Sequence, residues 1–271
     1  MRRSAALPFA VAQPIPGRHP VSGPEAFVKR SGILALAFAL AIAVTPAIAQ
    51  EQLSLDVTVP AVSLPSELFR PNGQAADFLG IGLGQTIDDV RKILTGQNFS
   101  NESPSNRFLL EEDYNSVEIV ASGPNRYFTN IVWSGPQDAS ADQNVRVEFS
   151  SPLTGQRSTD VRRFVTYKGG MGPLVETLRA AIIQKYGPPS IDGKTQLQWF
   201  WSTGQLVKKG AHDRQMAIGM ATDGDHVKAV TYVLIDEAGA HADNDRRAQF
   251  EKSVESAAKK VRDAHATAPK L

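Results

Sequence analysis

The stretch DFLGIGLGQTIDDVRKIL, residues 77–94, contains the pattern that decides the fold. It predicts a short strand, a glycine-containing turn and then a helix that begins at Thr86. Thr86 is a favourable N-cap, and the acidic first turn that follows it suits the positive end of a helix. The apolar residues of this helix, Ile87, Val90, Ile93 and Leu94, recur at the spacing of one helical face.

Runs with the pattern of β-strands follow this helix, and each is bounded by Gly, Pro, Asn or Asp. The clearest is NVRVEF, residues 144–149, in which Val145, Val147 and Phe149 share one face. Short turns between such runs predict an antiparallel meander. The runs cover residues 107–110, 116–121, 127–134, 144–149 and 160–167.

A second helix is predicted from PLVETLRAAIIQKYGPP, residues 173–189. Proline suits its start, Gly187 suits its end, and the two following prolines cannot continue it. Four further strand-like runs come after it, over residues 196–202, 205–208, 215–220 and 227–235.

These patterns predict an α+β fold in which helices pack on an antiparallel sheet. Their order suggests two β-α-β-β-β units, over residues 77–158 and 159–236. Residues 50–76 form an extended leader whose prolines limit any strand to a sheet edge. Residues 237–271 hold a C-terminal helix and tail, with a thin apolar seam typical of an amphipathic helix. The seam consists of Phe250, Val254, Ala257 and Val261.

The region before the leader has the pattern of a secretory signal peptide. Two basic residues precede the apolar run ILALAFALAIAV, residues 33–44, and Ala47 and Ala49 fit the small-x-small rule for signal peptidase. We therefore expect residues 1–49 to be a signal peptide that is cleaved after Ala49. The apolar run is shorter than the roughly 20 residues that a membrane span needs.

The signal would have an ordinary length if translation began at Val28, and this start is favoured over a long basic region that begins at Met1. Cleavage leaves a slightly acidic chain, with 24 Lys and Arg against 27 Asp and Glu. That charge gives no reason to expect nucleic acid as a partner. The protein is expected in the periplasm, in soluble form.

The chain has no cysteine. This excludes disulfides, thiolate nucleophiles and cysteine-based metal sites. It also excludes a lipid anchor at the cleavage site, because bacterial lipidation modifies a cysteine there.

The segments FLGIGLGQTIDDVRKIL and VETLRAAIIQKYGPPS together resemble a pattern of bacterial envelope proteins. They are similar to the small-protein-A group of outer-membrane assembly lipoproteins and to the fold-related beta-lactamase inhibitory proteins. Gln85 stands where that pattern usually has methionine. The resemblance implies helices on one face of an antiparallel sheet, with tandem repeats in the inhibitors.

Several motifs that could carry chemistry have simpler structural interpretations. The glycines of GIGLGQT, residues 80–86, lack the spacing of a dinucleotide loop and favour a tight turn. The Asp-Gly of ATDGDH, residues 221–226, is a strong hairpin signal. The group HADND, residues 241–245, favours a helix start over a cation site, and the acidic run 111–113 favours a solvated turn. We expect no cofactor and no metal ion.

Trp133, Trp199 and Trp201 are the candidate binding residues, since exposed tryptophans anchor protein partners. The alternative is a buried core beneath Leu178 and Ile182, which the shared strand face of Trp199 and Trp201 favours. The sequence thus predicts a non-catalytic periplasmic protein of unknown ligand that binds another protein, such as an envelope protein, or another envelope component. The alternative is a periplasmic hydrolase, for which His212 or His226 would have to meet aspartates in a pocket.

Overall fold

The computed structural model of this chain describes residues 52–64, 66–71, 75–136, 140–170, 172–208 and 210–267. The predicted signal peptide and the start at Val28 lie outside these residues. The described residues belong to one compact unit that begins at Gln50. None of their helices is both long enough and apolar enough to cross a membrane.

Strands and helices alternate along the described chain. Their order is β1 (Ser54–Thr58), β2 (Asp77–Phe78), β3 (Ile81–Gly82), α1 (Ile87–Gly96), β4 (Ser100–Phe108), β5 (Asp113–Tyr114), β6 (Val117–Ser122), β7 (Arg126–Ser134), β8 (Ala141–Phe149), β9 (Ser158–Tyr167), α2 (Val175–Tyr186), β10 (Ile191–Asp192), β11 (Gln196–Ser202), β12 (Gln205–Val207), β13 (Arg214–Asp223), β14 (His226–Asp236) and α3 (Glu237–Thr267).

The main sheet has nine strands, and all of its pairings are antiparallel. The order is β10-β11-β13-β14-β9-β8-β7-β4, and β12 pairs with β11. After α1 the chain supplies β4, β7 and β8 to one half of this sheet. After α2 it supplies β11, β13 and β14 to the other half, and β9 lies between the halves. The prediction of an α+β fold with an antiparallel sheet is confirmed.

Local chemistry accounts for the start of α1 and for the end of α2. Thr86 caps α1, and its side-chain oxygen accepts a hydrogen bond from the Asp89 backbone N–H at 3.2 Å. Gly187 ends α2 with a φ of 79°, in a region that glycine reaches without steric cost. Val90 of α1 and Ile182 of α2 are buried in the same core as the inner face of the main sheet, which therefore lies under both helices.

A second, smaller core lies between the leader and the C-terminal helix. Strand β1 pairs in parallel with β6, which also pairs with β5, and β1 stands at the edge of this three-stranded sheet. Val254 and Ala258 of α3 are buried against Val117 and Ile119 of β6. The predicted amphipathic helix is thus confirmed, and it packs on the small sheet.

Strand β4 corrects one sequence prediction. The pattern predicted a strand at residues 107–110, whereas β4 spans Ser100–Phe108. Every residue of β4 is exposed, so the strand has no apolar alternation that could reveal it. It also contains Pro104, which is tolerated because β4 lies at the edge of the main sheet.

Candidate functional site

The three candidate tryptophans all lie in the main core. Trp133, Trp199 and Trp201 are 3%, 1% and 4% exposed. They cannot act as exposed anchors for a partner, so the prediction that they are binding residues is wrong and they belong to the buried core. The physical reason is the strand register, which places their side chains on the face that the helices cover. One buried row runs across six strands and contains Ile131, Val147, Val161, Leu234, Met216 and Trp199.

Two of these tryptophans still border a small space. Trp199 and Trp201 line a cavity of about 250 Å³ beside Tyr186 and Pro188. The indole Nε1 of Trp199 donates a hydrogen bond to the Gly187 carbonyl at 3.2 Å, so its polar atom is already satisfied. Tyr186 meets Trp199 edge to face, with 5.9 Å between the ring centroids.

The histidines do not form the site that the hydrolase alternative requires. The His212 ring packs on Phe200, and its Nε2 lies 3.5 Å from Oε1 of Glu237. The Nδ1 of His226 faces the Gly172 carbonyl at 2.9 Å. Within the described part of the chain, neither imidazole is within 4 Å of an aspartate carboxylate.

The acidic motifs lie in turns, strands and a helix and do not converge on one site in the described part of the chain. Gly224 lies in the turn between β13 and β14, as the Asp-Gly pattern predicts. Residues 111–113 are exposed, as expected, but Asp113 begins the short strand β5, so this run does not form the expected turn. The helix start expected at the HADND group is wrong, because α3 begins at Glu237 and residues 241–245 lie inside it. Asp243 of this group is 6% exposed and accepts a hydrogen bond from the Ser151 hydroxyl. No group of three His, Asp or Glu side chains in the described residues is arranged to hold a metal ion.

The turn interpretation of the glycine motif also agrees with the structure. Gly80 and Gly84 both have positive φ, at 82° and 85°. A side chain at Gly84 would collide with the Glu67 carbonyl oxygen. Gly84 therefore allows a tight approach between two segments of the chain's own backbone.

The second face of the main sheet differs sharply from the face that the helices cover. One row on it crosses the same six strands and contains Val132, Arg146, Arg162, Val233, Ala217 and Gln198. All six side chains are partly exposed. We call this row, with its neighbours Glu148, Asp160 and Phe164, the open face.

The charges of the open face pair along each strand. Arg146 and Glu148 of β8 form an ion pair with 2.7 Å between nitrogen and oxygen, and Arg162 and Asp160 of β9 form one at 2.6 Å. The hydrogen bond to Asp160 raises the pKa of Arg162 above its ordinary value. Arg146, Glu148 and Arg162 each keep more than a third of their side-chain surface in solvent, so these charges are available to a partner.

Sequence reasoning named none of the residues of the open face. The signal was nevertheless present in NVRVEF, residues 144–149, where assigning Val145 and Val147 to the core assigns Arg146 and Glu148 to the opposite face. The alignment of Arg146 with Arg162 depends on the register between strands, and a single strand pattern does not contain it.

No family model matches this chain, and no curated protein or solved structure is significantly similar to it.

Proposed function

We propose that this chain is an exported, non-catalytic binding protein of the bacterial cell envelope that holds a protein partner on its open face. The observation that carries this proposal is the asymmetry of the main sheet. One face is buried under α1 and α2, and the six-strand row on the other face remains partly exposed.

The composition of the open face suits a partner that also exists free in solution. Such interfaces mix apolar contacts with polar groups and are enriched in arginine and aromatic residues. Phe164, Val233 and Val132 supply apolar surface next to Arg146 and Arg162. A complementary partner would present an apolar patch flanked by a carboxylate, and the two arginines would set its orientation.

The proposed cellular location rests on the signal-peptide pattern in residues 29–49 and not on the fold. The resemblance of two helical segments to small-protein-A proteins agrees with an envelope location. The similar succession of strands after α1 and α2 supports an origin from two related β-α-β-β-β units. We propose no nucleic acid, cofactor or membrane anchor for the processed protein.

Site-specific photo-crosslinking in intact cells tests the proposed interface. A photoreactive residue is placed at Phe164 or at Val233 on the open face, and at the exposed Lys92 of α1 as the matched control. The expected result is one shared adduct from the two open-face positions that the Lys92 position does not give.

A charge reversal makes the test specific. Arg146→Glu places a carboxylate opposite Arg162, a pairing that an antiparallel sheet tolerates. We expect this variant to stay folded, and we expect the yield of the shared adduct to fall at least tenfold. Equal crosslinking from Lys92, or no adduct from either open-face position, contradicts the proposal.

A further inference from the structure

A second surface feature lies away from the open face, beside the turn that precedes α1. It is a cleft of about 1160 Å³ between the segment Ser66–Arg70, the Gly84–Gln85 turn and the Thr203–Gly204 hairpin. Backbone hydrogen bonds hold the first two of these segments together, because the Glu67 and Phe69 N–H groups donate to the carbonyls of Gly84 and Leu83. We call it the arginine cleft, after Arg157 and Arg214, which both line it.

No carboxylate among the described residues forms an ion pair with Arg157. Its residue is only 9% exposed, and one guanidinium nitrogen, Nη1, is 3.4 Å from the Gly84 carbonyl. The other, Nη2, is buried and has no hydrogen-bond partner among the described residues. A buried charged donor without a partner is costly, so a ligand that neutralises it would bind favourably.

Asp89, the acid that attracts Arg157, is engaged elsewhere. Asp89 attracts Arg157, but its Oδ2 accepts a hydrogen bond from the Thr86 hydroxyl at 2.6 Å, and Ser66 also hydrogen-bonds it. Burial lowers the pKa of Arg157 below its ordinary value, and Asp89 offsets this only in part. The guanidinium remains protonated, because even a perturbed arginine loses its proton far above neutral pH.

Arg214 adds a second guanidinium with little carboxylate contact. It stacks over Phe69, 4.5 Å from the ring centroid, and its Nε is 3.5 Å from Oδ1 of Asp236. That Asp236 oxygen also accepts the Gly239 backbone N–H at 3.0 Å, at the start of α3. Of the charged residues that line the cleft, Arg70, Arg157 and Arg214 outnumber Glu67 and Asp236 by one.

We infer that the arginine cleft is a binding site for an oxyanion, a carboxylate or phosphate group carried by a small molecule. Guanidinium groups recognise both anions through charge-assisted hydrogen bonds, and stacking on Phe69 holds the plane of Arg214 in place. This inference goes beyond the open face and shares no residue with it. A ligand in the arginine cleft would therefore bind a surface other than the open face.

Thermal unfolding of the purified protein tests this site with defined probes. Inorganic phosphate and acetate are titrated separately as sodium salts, with sodium chloride at matched ionic strength as the reference. A ligand that binds only the folded state raises the melting temperature in a concentration-dependent way. Because phosphate also stabilises folded proteins without binding a site, a probe identifies the anion only where its excess over chloride is reduced by the cleft substitutions below.

Three substitutions assign the effect to the cleft. Arg214→Gln is expected to weaken the apparent affinity at least tenfold, and Arg157→Gln to abolish it. Arg126→Gln, at an exposed position of β7, should bind like the parent. If Arg157→Gln does not fold, the Arg214→Gln variant decides alone.

Two results would overturn the inference. One is that neither phosphate nor acetate exceeds chloride, and the other is that Arg214→Gln binds as tightly as Arg126→Gln. The open-face crosslink serves as an independent check, since Arg214→Gln should leave that adduct unchanged. Loss of anion binding and loss of the crosslink are therefore separable outcomes.

Discussion

Arg146 and Arg162 stand directly opposite each other on β8 and β9, and each is paired along its own strand instead of across the sheet. Glu148 and Asp160 are likewise opposite each other. Like charges in direct cross-strand register destabilise a sheet, so each ion pair offsets a repulsion as well as adding an attraction.

Removal of both members of a pair should therefore cost less than the two single removals added together. We expect Glu148→Gln and Arg146→Gln each to lower the free energy of unfolding by up to about 1 kcal/mol, and the double variant to lose less than the sum. Urea unfolding at low and high sodium chloride measures this, and salt should reduce every difference. Strictly additive losses would show that the two residues do not interact.

Asp243 should be essential for docking the start of α3. Its Oδ1 accepts hydrogen bonds from the Ser151 backbone N–H at 3.0 Å, from the Ser151 hydroxyl at 2.6 Å and from the Thr154 hydroxyl, and its Oδ2 pairs with Arg247. Asp243→Ala leaves these buried donors without an acceptor and should cost about 2–4 kcal/mol.

The matched control for Asp243 is Asp245→Ala, two residues along the same helix, where the side chain is exposed. This change should stay within about 0.5 kcal/mol of the parent. Urea unfolding gives both values, and hydrogen exchange of the α3 amides should rise only for the Asp243 variant. Equal losses in the two variants would contradict the role assigned to Asp243.

Trp199 should be a major contributor to the main core. It is fully enclosed, and Trp199→Ala should lower the free energy of unfolding by about 3–5 kcal/mol through lost burial and a residual cavity. Phe108→Ala is the control, because Phe108 is 60% exposed and should cost under about 1 kcal/mol. A mild effect at Trp199 in urea unfolding would mean that this part of the core repacks freely.

Alkaline pH should unfold the protein. Burial raises the pKa of every tyrosine in the chain, most strongly that of Tyr186, to which Asp77 also contributes. Because the folded pKa values exceed the unfolded value of about 10, their stabilisation is complete below about pH 10 and is lost as pH rises above it. The five residues are Tyr114, Tyr127, Tyr167, Tyr186 and Tyr232.

Tyrosinate absorbance and circular dichroism, followed together from about pH 9 upward, measure this effect. We expect tyrosinate to appear mainly as the circular dichroism signal of the sheet disappears. Tyr186→Phe should make unfolding less sensitive to alkali, although it loses the hydrogen bond to the Asp77 carbonyl. Ionisation of most tyrosines in the folded protein near pH 10 would contradict the burial seen here.

The elements that the sequence predicted depend on local chemistry. Thr86 and Gly187 mark helix ends because a cap or a positive φ involves only neighbouring residues. Alternation placed Val145 and Val147 on the inner face, and the four-three-four spacing placed Val254 in the seam of α3. Each of these predictions follows from contacts within one element or its turn.

The features that the sequence did not predict depend on distant pairing. The parallel register of β1 with β6 joins Leu55 to Ile119, which no local pattern specifies. The arginine cleft brings together Arg157, which precedes β9, and Arg214, the first residue of β13. Arg157 also resembles any other surface arginine in the sequence, because its burial comes from the Gly84 turn packed over it.

The small core of β1, β6 and α3 affects the order in which parts of the chain can fold during synthesis. Its contacts join Leu55 and Val57, near the start of the described chain, to Val254 and Val261, near the end. The ribosome synthesises Leu55 and Val57 long before it reaches Val254 and Val261. The main sheet has all its strands once residue 236 has emerged, and β1 can then pair with β6, but the buried side chains of α3 come only later. This part of the molecule can therefore mature only after synthesis is nearly finished, and a chain interrupted before α3 would leave the apolar side of the small sheet uncovered.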